Sequence, residues 1–190
     1  MRIALPAAAV LISATLAAAQ DGAAARPAGL ETDWDIAAVL HQVAAHAGRL
    51  GPMLDKFDAG EWVKKGASDT YVAQLQSSRE QAAAMARGAE ALAANPQQLS
   101  GELELFFRMQ ALENMVASLV EAMRKYHSQA DAQALAVLEA QNDENRDRLQ
   151  RYIVNLAAQR EQEFKVMDRE AQRCRGIVIQ APPPRAGRKK

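Results

Sequence analysis

The sequence predicts an all-α protein: an antiparallel up-down four-helix bundle with a kinked first helix and an overlong last helix. Four stretches carry mostly apolar residues at alternating steps of three and four, which puts each set on one face of a helix that needs a partner. Glycine, proline and aromatic residues are sparse, and this composition favours helix throughout. The four seams run through Ile36, Leu40, Val43, Ala47, Leu50, Leu54 and Phe57; Tyr71, Leu75, Ser78, Ala82, Met85, Ala89 and Leu92; Leu105, Met109, Leu112, Val116, Leu119, Met123 and Tyr126; and Leu135, Leu138, Leu149, Tyr152 and Leu156.

The first helix is expected to begin near Thr32 and to end around residues 64–66. Thr32 and Asp35 have the spacing of a capping box, with Asp in place of the usual Glu. Gly51-Pro52 interrupts this helix, because proline removes a backbone hydrogen bond and clashes with the preceding turn. The apolar seam keeps its register across the proline. We therefore expect one kinked helix, or two nearly collinear helices, rather than a reversal.

The second and third helices are expected over about 68–94 and 100–127. Asn95-Pro96 ends the second helix, because the residue before a proline disfavours helical geometry. Glu102 and Glu104 fall in the first turn of the third helix, where negative charge is favourable.

The fourth helix is expected over about 130–175 and would be roughly 65–70 Å long, against roughly 40 Å for helices two and three. Ser128 and Asp131 resemble a capping box and predict a turn before it, with one continuous rod from Ser100 as the alternative. Beyond Leu156 the seam continues after an extra four-residue step through Arg160, a stutter that relaxes supercoiling. Such a helix must overhang its partners, pack on the first helix, or pair with another chain.

Asn142 and Asn145 occupy two successive seam positions of the fourth helix. Three interpretations stay open for them. The first is that water enters the bundle, or the helices fray, at that end. The second is that the asparagines control the register of helix pairing. The third is that they line a polar pocket for a small ligand.

The two ends of the chain are expected to lie outside the bundle domain, which spans 32–176. Residues 1–19 have the layout of a cleaved secretory signal peptide: a positive start, an apolar centre and small residues before Gln20. Residues 20–31 read as a flexible leader. A secreted or periplasmic location follows, with no transmembrane segment after cleavage; an uncleaved anchor is the alternative.

Residues 177–190 are expected to form an extended, Pro-rich, basic tail. The cations Arg185, Arg188, Lys189 and Lys190 suit an anionic envelope polymer, lipid head groups or an acidic partner. The alternative is a disordered, solubilising end.

No pattern in the chain predicts catalysis, and we expect a protein that is not an enzyme. His41 and His46 are five residues apart and point about 140° away from each other on a helix. All three histidines are at surface or flank positions relative to the seams, so no metal site is predicted. Neither a Glu-x-x-His pair nor a covalent haem motif occurs. A haem held by Met53 or Met109 is the alternative, and core packing explains these methionines better. The formal net charge of zero gives no reason to expect nucleic acid binding.

Helix-face contact with a protein partner or a second copy is therefore the predicted function, for an adaptor, a chaperone-like protein or an assembly subunit. The expected contacts are Phe164, Met167 and Cys174 on the overhanging helix. Cys174, the only cysteine, is expected either to bridge two chains or to remain an unpaired thiol. The alternatives are a small-molecule or cofactor-binding bundle, with its site near Asn142 and Asn145, and attachment to an envelope polymer through the tail.

Overall fold

The computed structural model describes residues 33–180 of the chain, and all regular secondary structure in this range is α-helical. The protein is thus all-α, as predicted. Six helices occur in the described part: α1 (Asp33–Leu54), α2 (Ala59–Lys64), α3 (Thr70–Ala93), α4 (Leu99–Tyr126), α5 (Gln129–Ala140) and α6 (Asp143–Gln180).

One apolar core holds these helices together. Helix α1 packs mainly on α3, α3 on α4, and α4 on α5, while α6 packs on both α4 and α1. The core consists of the predicted seam residues together with flanking side chains such as Val39 and Ile153. None of the helices in residues 33–180 combines the length and apolarity needed to cross a membrane.

The first predicted helix is divided into α1 and α2, and the division lies after Pro52 rather than at it. Pro52 sits in the last turn of α1, and the chain leaves helical geometry at 55–58. Asp58 begins α2 by accepting a hydrogen bond from the Gly60 N–H at 2.8 Å. The guanidinium of Arg79 in α3 donates to the Leu54 and Phe57 carbonyls at 3.1 and 2.8 Å. These bonds tie the end of α1 and the connection after it to α3; the Leu54 carbonyl also accepts the Phe57 N–H at 3.2 Å.

Helices α3 and α4 agree with their predicted spans within two residues. Gln74 donates to the Met115 carbonyl at 3.1 Å, and Arg108 donates to Gln81 Oε1 at 2.7 Å. Gly101 lets the start of α4 approach α3 closely, since a methyl group added there would lie 2.7 Å from the Leu92 Cδ2 atom.

The predicted fourth helix is two helices, so the single helix over 130–175 is wrong. Ser128 accepts from the Asp131 N–H at 3.3 Å and begins α5, as its spacing predicts. The helix then stops at Ala140, and Asn142 restarts it: its backbone carbonyl accepts the Arg146 N–H at 3.0 Å. Asparagine competes with helix geometry through local side-chain hydrogen bonds, which explains the break.

Helix α6 runs to Gln180, so the extended geometry predicted from residue 177 is wrong for 177–180. The remaining predictions for the ends of the chain concern the signal peptide, the leader and the basic tail from 181 onward. They lie outside the described residues.

Candidate functional site

The candidate site is the second half of α6, which leaves the helical core. Up to Leu156 this helix buries one face through Leu149, Tyr152, Ile153 and Leu156. From residue 158 to residue 175 every side chain is exposed. We call residues 158–176 the projecting segment; at 1.5 Å per residue it is about 28 Å long.

Two hydrogen bonds mark the place where α6 leaves the core. The Tyr152 hydroxyl donates to the Pro96 carbonyl at 2.9 Å. The Arg160 guanidinium reaches the Gln97 side-chain oxygen at 3.2 Å. Both acceptors belong to the α3–α4 connection, so the projecting segment extends past that end of the molecule.

The three predicted interface residues lie on one exposed stripe of the projecting segment, together with Ala171. Phe164 is 68% exposed and Met167 is 62% exposed, and the Cys174 thiol is exposed and unpaired. Their three- and four-residue spacing is that of heptad positions a and d. The stripe thus leaves two large apolar side chains in water, next to each other on one face of the helix.

The stripe continues the face by which α6 contacts the core. Leu149 and Met167 are 18 residues apart, and so are Leu156 and Cys174. Eighteen residues make about five helical turns, so each exposed residue points in the direction of its buried counterpart. The stripe therefore faces the space beyond the end of the core.

Charged side chains flank the stripe and interact mainly within α6. Arg160 pairs with Glu163 at 2.9 Å, and Arg173 with Glu170 at 3.7 Å. Hydrogen bonds from Arg160 and Gln159 hold the pKa of the Glu163 carboxyl below its ordinary value. Such exposed pairs contribute little to stability.

The two predicted asparagines lie together at the α5–α6 break. Asn142 is buried and its Oδ1 atom accepts from the Asn145 side-chain amide at 3.2 Å. Their contact is local to the start of α6. A role in register or ligand binding stays a prediction. The tail cations Arg185, Arg188, Lys189 and Lys190 lie outside the described residues.

His46, expected at a surface or flank position, flanks the seam and is buried. It is 1% exposed, and its Nε2 atom lies 3.7 Å from Glu139 Oε2 of α5. Neither ring nitrogen has a hydrogen-bond partner. His46 directly precedes the seam residue Ala47 and follows Val43 by three, so a wider α1 face would have included it. His41, in contrast, is exposed and contacts Glu90 at 3.1 Å.

Glu102 is a second buried polar residue that the sequence analysis missed. Its side chain is fully buried, and neither carboxyl oxygen has a hydrogen-bond partner. Burial raises its pKa from 4.5 to about 7. The signal was present in the sequence, because Glu102 precedes the seam residue Leu105 by three and continues the α4 seam.

Several shallow hollows lie on the described surface. One, of about 300 Å³, lies between α4 and α5 and is lined by Glu113, Glu139 and Asp143 among others. Another lies beside the base of the projecting segment, between Leu99, Ala157 and Phe164. Within residues 33–180, no group of three or more His, Cys, Asp or Glu side chains is arranged to hold a metal ion.

No protein-family model matches this chain, and no curated protein and no solved structure is significantly similar to it.

Proposed function

We propose that this protein acts outside the cytoplasm as a non-enzymatic interaction protein, and that the projecting segment of α6 makes the contact. The observation that carries the proposal is a helix that leaves its core and keeps an apolar face in water. Burying a large apolar side chain such as Phe164 or Met167 contributes about 1.5–3 kcal/mol. A partner helix would supply that burial.

An antiparallel up-down four-helix bundle is the architecture that best accounts for the packing. Its helices would be α1, α3, α4 and the pair α5–α6, with α2 as part of the first connection. Contacts such as His41–Glu90 and Arg79–Leu54 support it, because residue numbers fall along α3 as they rise along α1. In this architecture α5 and α6 run back along α4 in succession, and only α6 is long enough to pass the end of the core.

Export is the second part of the proposal and is supported by residues 1–19 of the sequence. Outside the cytoplasm a surface-exposed thiol such as Cys174 can be oxidised. Assembly through a helix face needs no cofactor. The sequence has no hydrolase, redox or phosphate-binding motif, and this fits such a mechanism.

Site-specific photo-cross-linking in the native cell envelope tests the proposed contact. A photoreactive residue at Met167 should give one protein adduct of defined mass, shared with position 164. The matched control is Val166, which is also about half exposed but lies off the stripe. Position 166 should give no such adduct. Equal adducts at 166 and 167, or none at either position, would contradict the proposed surface.

A further inference from the structure

We propose that the start of α4 is a pH-sensitive switch: it stays packed while Glu102 holds its proton, and it opens as a local unit when Glu102 ionises. The opening unit is residues 97–103, which comprise the end of the α3–α4 connection and the first turn of α4. This inference goes beyond the proposed function and does not depend on what the projecting segment binds. Two features support it: a buried carboxyl group without a partner, and a helix start without a side-chain cap.

The carboxyl group of Glu102 is fully buried, and neither of its oxygens has a hydrogen-bond partner. A carboxylate in such a place is costly, because nothing replaces the water that it loses on burial. The group must therefore either keep its proton or reach water. At a pH where it gives up the proton, reaching water requires the surrounding structure to open.

The charged and titratable groups around this end of the core do not control the ionisation of Glu102. Burial is the cause of its pKa shift, with no charge or hydrogen bond of another group contributing. Most of these groups lie at the surface; His41 and Glu90, for example, are both more than half exposed and contact each other at 3.1 Å. The groups are Asp35 and His41 of α1, Arg87 and Glu90 of α3, Glu104 and Arg108 of α4, and Arg151, Tyr152 and Arg160 of α6.

The first turn of α4 has little local support for its helical geometry. Gln98 precedes the helix, and its side chain makes no capping hydrogen bond. In contrast, the side chains of Asp58 and Ser128 cap α2 and α5. Gly101 lies in the same turn and lowers its helix propensity. A helix start without a cap frays more easily than a capped one, so this turn can open while the rest of α4 stays folded.

The packing of the turn sets the limits of the opening. Gly101 lies so close to α3 that a Cβ atom there would be 2.7 Å from the Leu92 Cδ2 atom, and this contact is part of the closed form. Leu99 and Leu103 are only partly buried, so unwinding through residue 103 exposes little further apolar surface. Leu105 is 3% exposed and begins the well-buried part of α4. The opening is therefore expected to stop before Leu105.

The opening unit also holds the base of the projecting segment. The Arg160 guanidinium reaches the Gln97 side-chain oxygen at 3.2 Å, and the Tyr152 hydroxyl donates to the neighbouring Pro96 carbonyl at 2.9 Å. Opening of residues 97–103 separates Gln97 from Arg160. The proton on Glu102 is thereby linked to how firmly α6 is held where it leaves the core.

The size of the effect follows from the pKa of Glu102 in the two forms. In the open form the carboxyl group reaches water and has its ordinary pKa of 4.5, against about 7 in the closed form. The open form therefore releases its proton first, and rising pH favours it between these two values. From pH 5 to pH 8 the population of the open form should rise roughly 70-fold.

Native-state hydrogen exchange of the purified full chain, at pH 5 and pH 8 and in low concentrations of urea, tests the proposal. The amides of residues 102–106 donate to carbonyls of residues 98–102, so they exchange when the unit opens. Their protection factors, corrected for the intrinsic pH dependence of exchange, should fall roughly 70-fold from pH 5 to pH 8. At pH 8 they should hardly depend on urea, because a local opening exposes little surface, whereas the amides of residues 112–123 should depend on it strongly.

A pair of variants separates Glu102 from the other carboxyl groups of α4. Glu102→Gln should remove the pH dependence of exchange at residues 102–106. Glu104→Gln, the matched control with a side chain that is 73% exposed, should keep it. A pH dependence that persists in Glu102→Gln would overturn the proposal. So would equal urea dependence of residues 102–106 and 112–123 in the natural chain at pH 8, because Glu102 would then reach water only by global unfolding.

Discussion

Replacing Glu102 with glutamine should remove a pH-dependent loss of stability. The carboxyl group is fully buried without a hydrogen-bond partner, and its pKa in the folded protein is about 7, against 4.5 as its ordinary value. The folded state thus holds the proton more tightly than the unfolded state. Between these two values the unfolded chain releases the proton while the folded chain keeps it, and stability falls as the pH rises.

The size of this effect follows from the difference between the two pKa values. Each pKa unit corresponds to about 1.4 kcal/mol, so the full loss is about 3 kcal/mol above pH 7 and is absent below pH 4.5. The position of Glu102 in the first turn of α4 favours the ionised form by about 0.3–1 kcal/mol. Burial is the larger effect.

Urea unfolding at pH 4.5 and at pH 8 measures the prediction. Glu102→Gln should be about 3 kcal/mol more favourable, relative to the natural chain, at pH 8 than at pH 4.5. Comparing two pH values cancels the constant cost of burying the amide. The matched control is Glu104→Gln on the same helix, where the side chain is 73% exposed. An effect of Glu102→Gln that is equal at both pH values would refute the reasoning.

Two further pairs of substitutions test the packing, and urea unfolding is the assay for both. Gly48→Ala should stabilise the protein by about 0.5–1 kcal/mol, because the helix gains propensity and the new methyl group meets open space. Gly101→Ala should not give that stabilisation, because the new methyl group would lie 2.7 Å from the Leu92 Cδ2 atom and Leu92 would have to move. Equal changes in the free energy of unfolding at the two glycines would contradict the close approach of α4 to α3. Leu149→Ala should destabilise by about 2–5 kcal/mol. Met167→Ala, 18 residues further along α6, should change stability by less than about 0.5 kcal/mol in dilute protein, and a large effect would mean that the core covers the stripe.

The apolar seams predicted the helical regions and most of the core. A helix that is buried on one side carries apolar residues every three or four positions, and this spacing is visible even in a short stretch of sequence. The Ser128 cap was likewise visible, because it depends on residues three apart. An overhang was one of three outcomes that the length of the last helix allowed, because this helix has more residues than its neighbours can cover.

The misplaced boundaries have a common physical origin. Pro52 interrupts a helix only when its missing N–H and ring clash cannot be accommodated, and here α1 accommodates it in its last turn. The break at Asn142 depends on local side-chain hydrogen bonds that compete with helix by small energies. Tertiary packing decides whether a helix continues or stops at such a residue, and the spacing of apolar residues carries no information about that packing.

The buried polar residues were missed for a different reason. Glu102 and His46 lie in phase with their seams, but a seam drawn from apolar residues alone passes over charged and polar ones. Their burial also depends on whether neighbouring helices supply a hydrogen-bond partner. For Glu102 the neighbours supply none, and the cost appears in its raised pKa.

Hydrogen exchange of the purified chain in dilute solution tests the central claim most directly. An isolated helix as short as the projecting segment is marginally stable in water, so its amides exchange quickly unless something covers one face. We predict fast exchange of residues 160–176 and slow exchange of the buried stretches within residues 36–156. Slow exchange of residues 160–176 in the dilute chain would contradict the claim that the core leaves this segment uncovered.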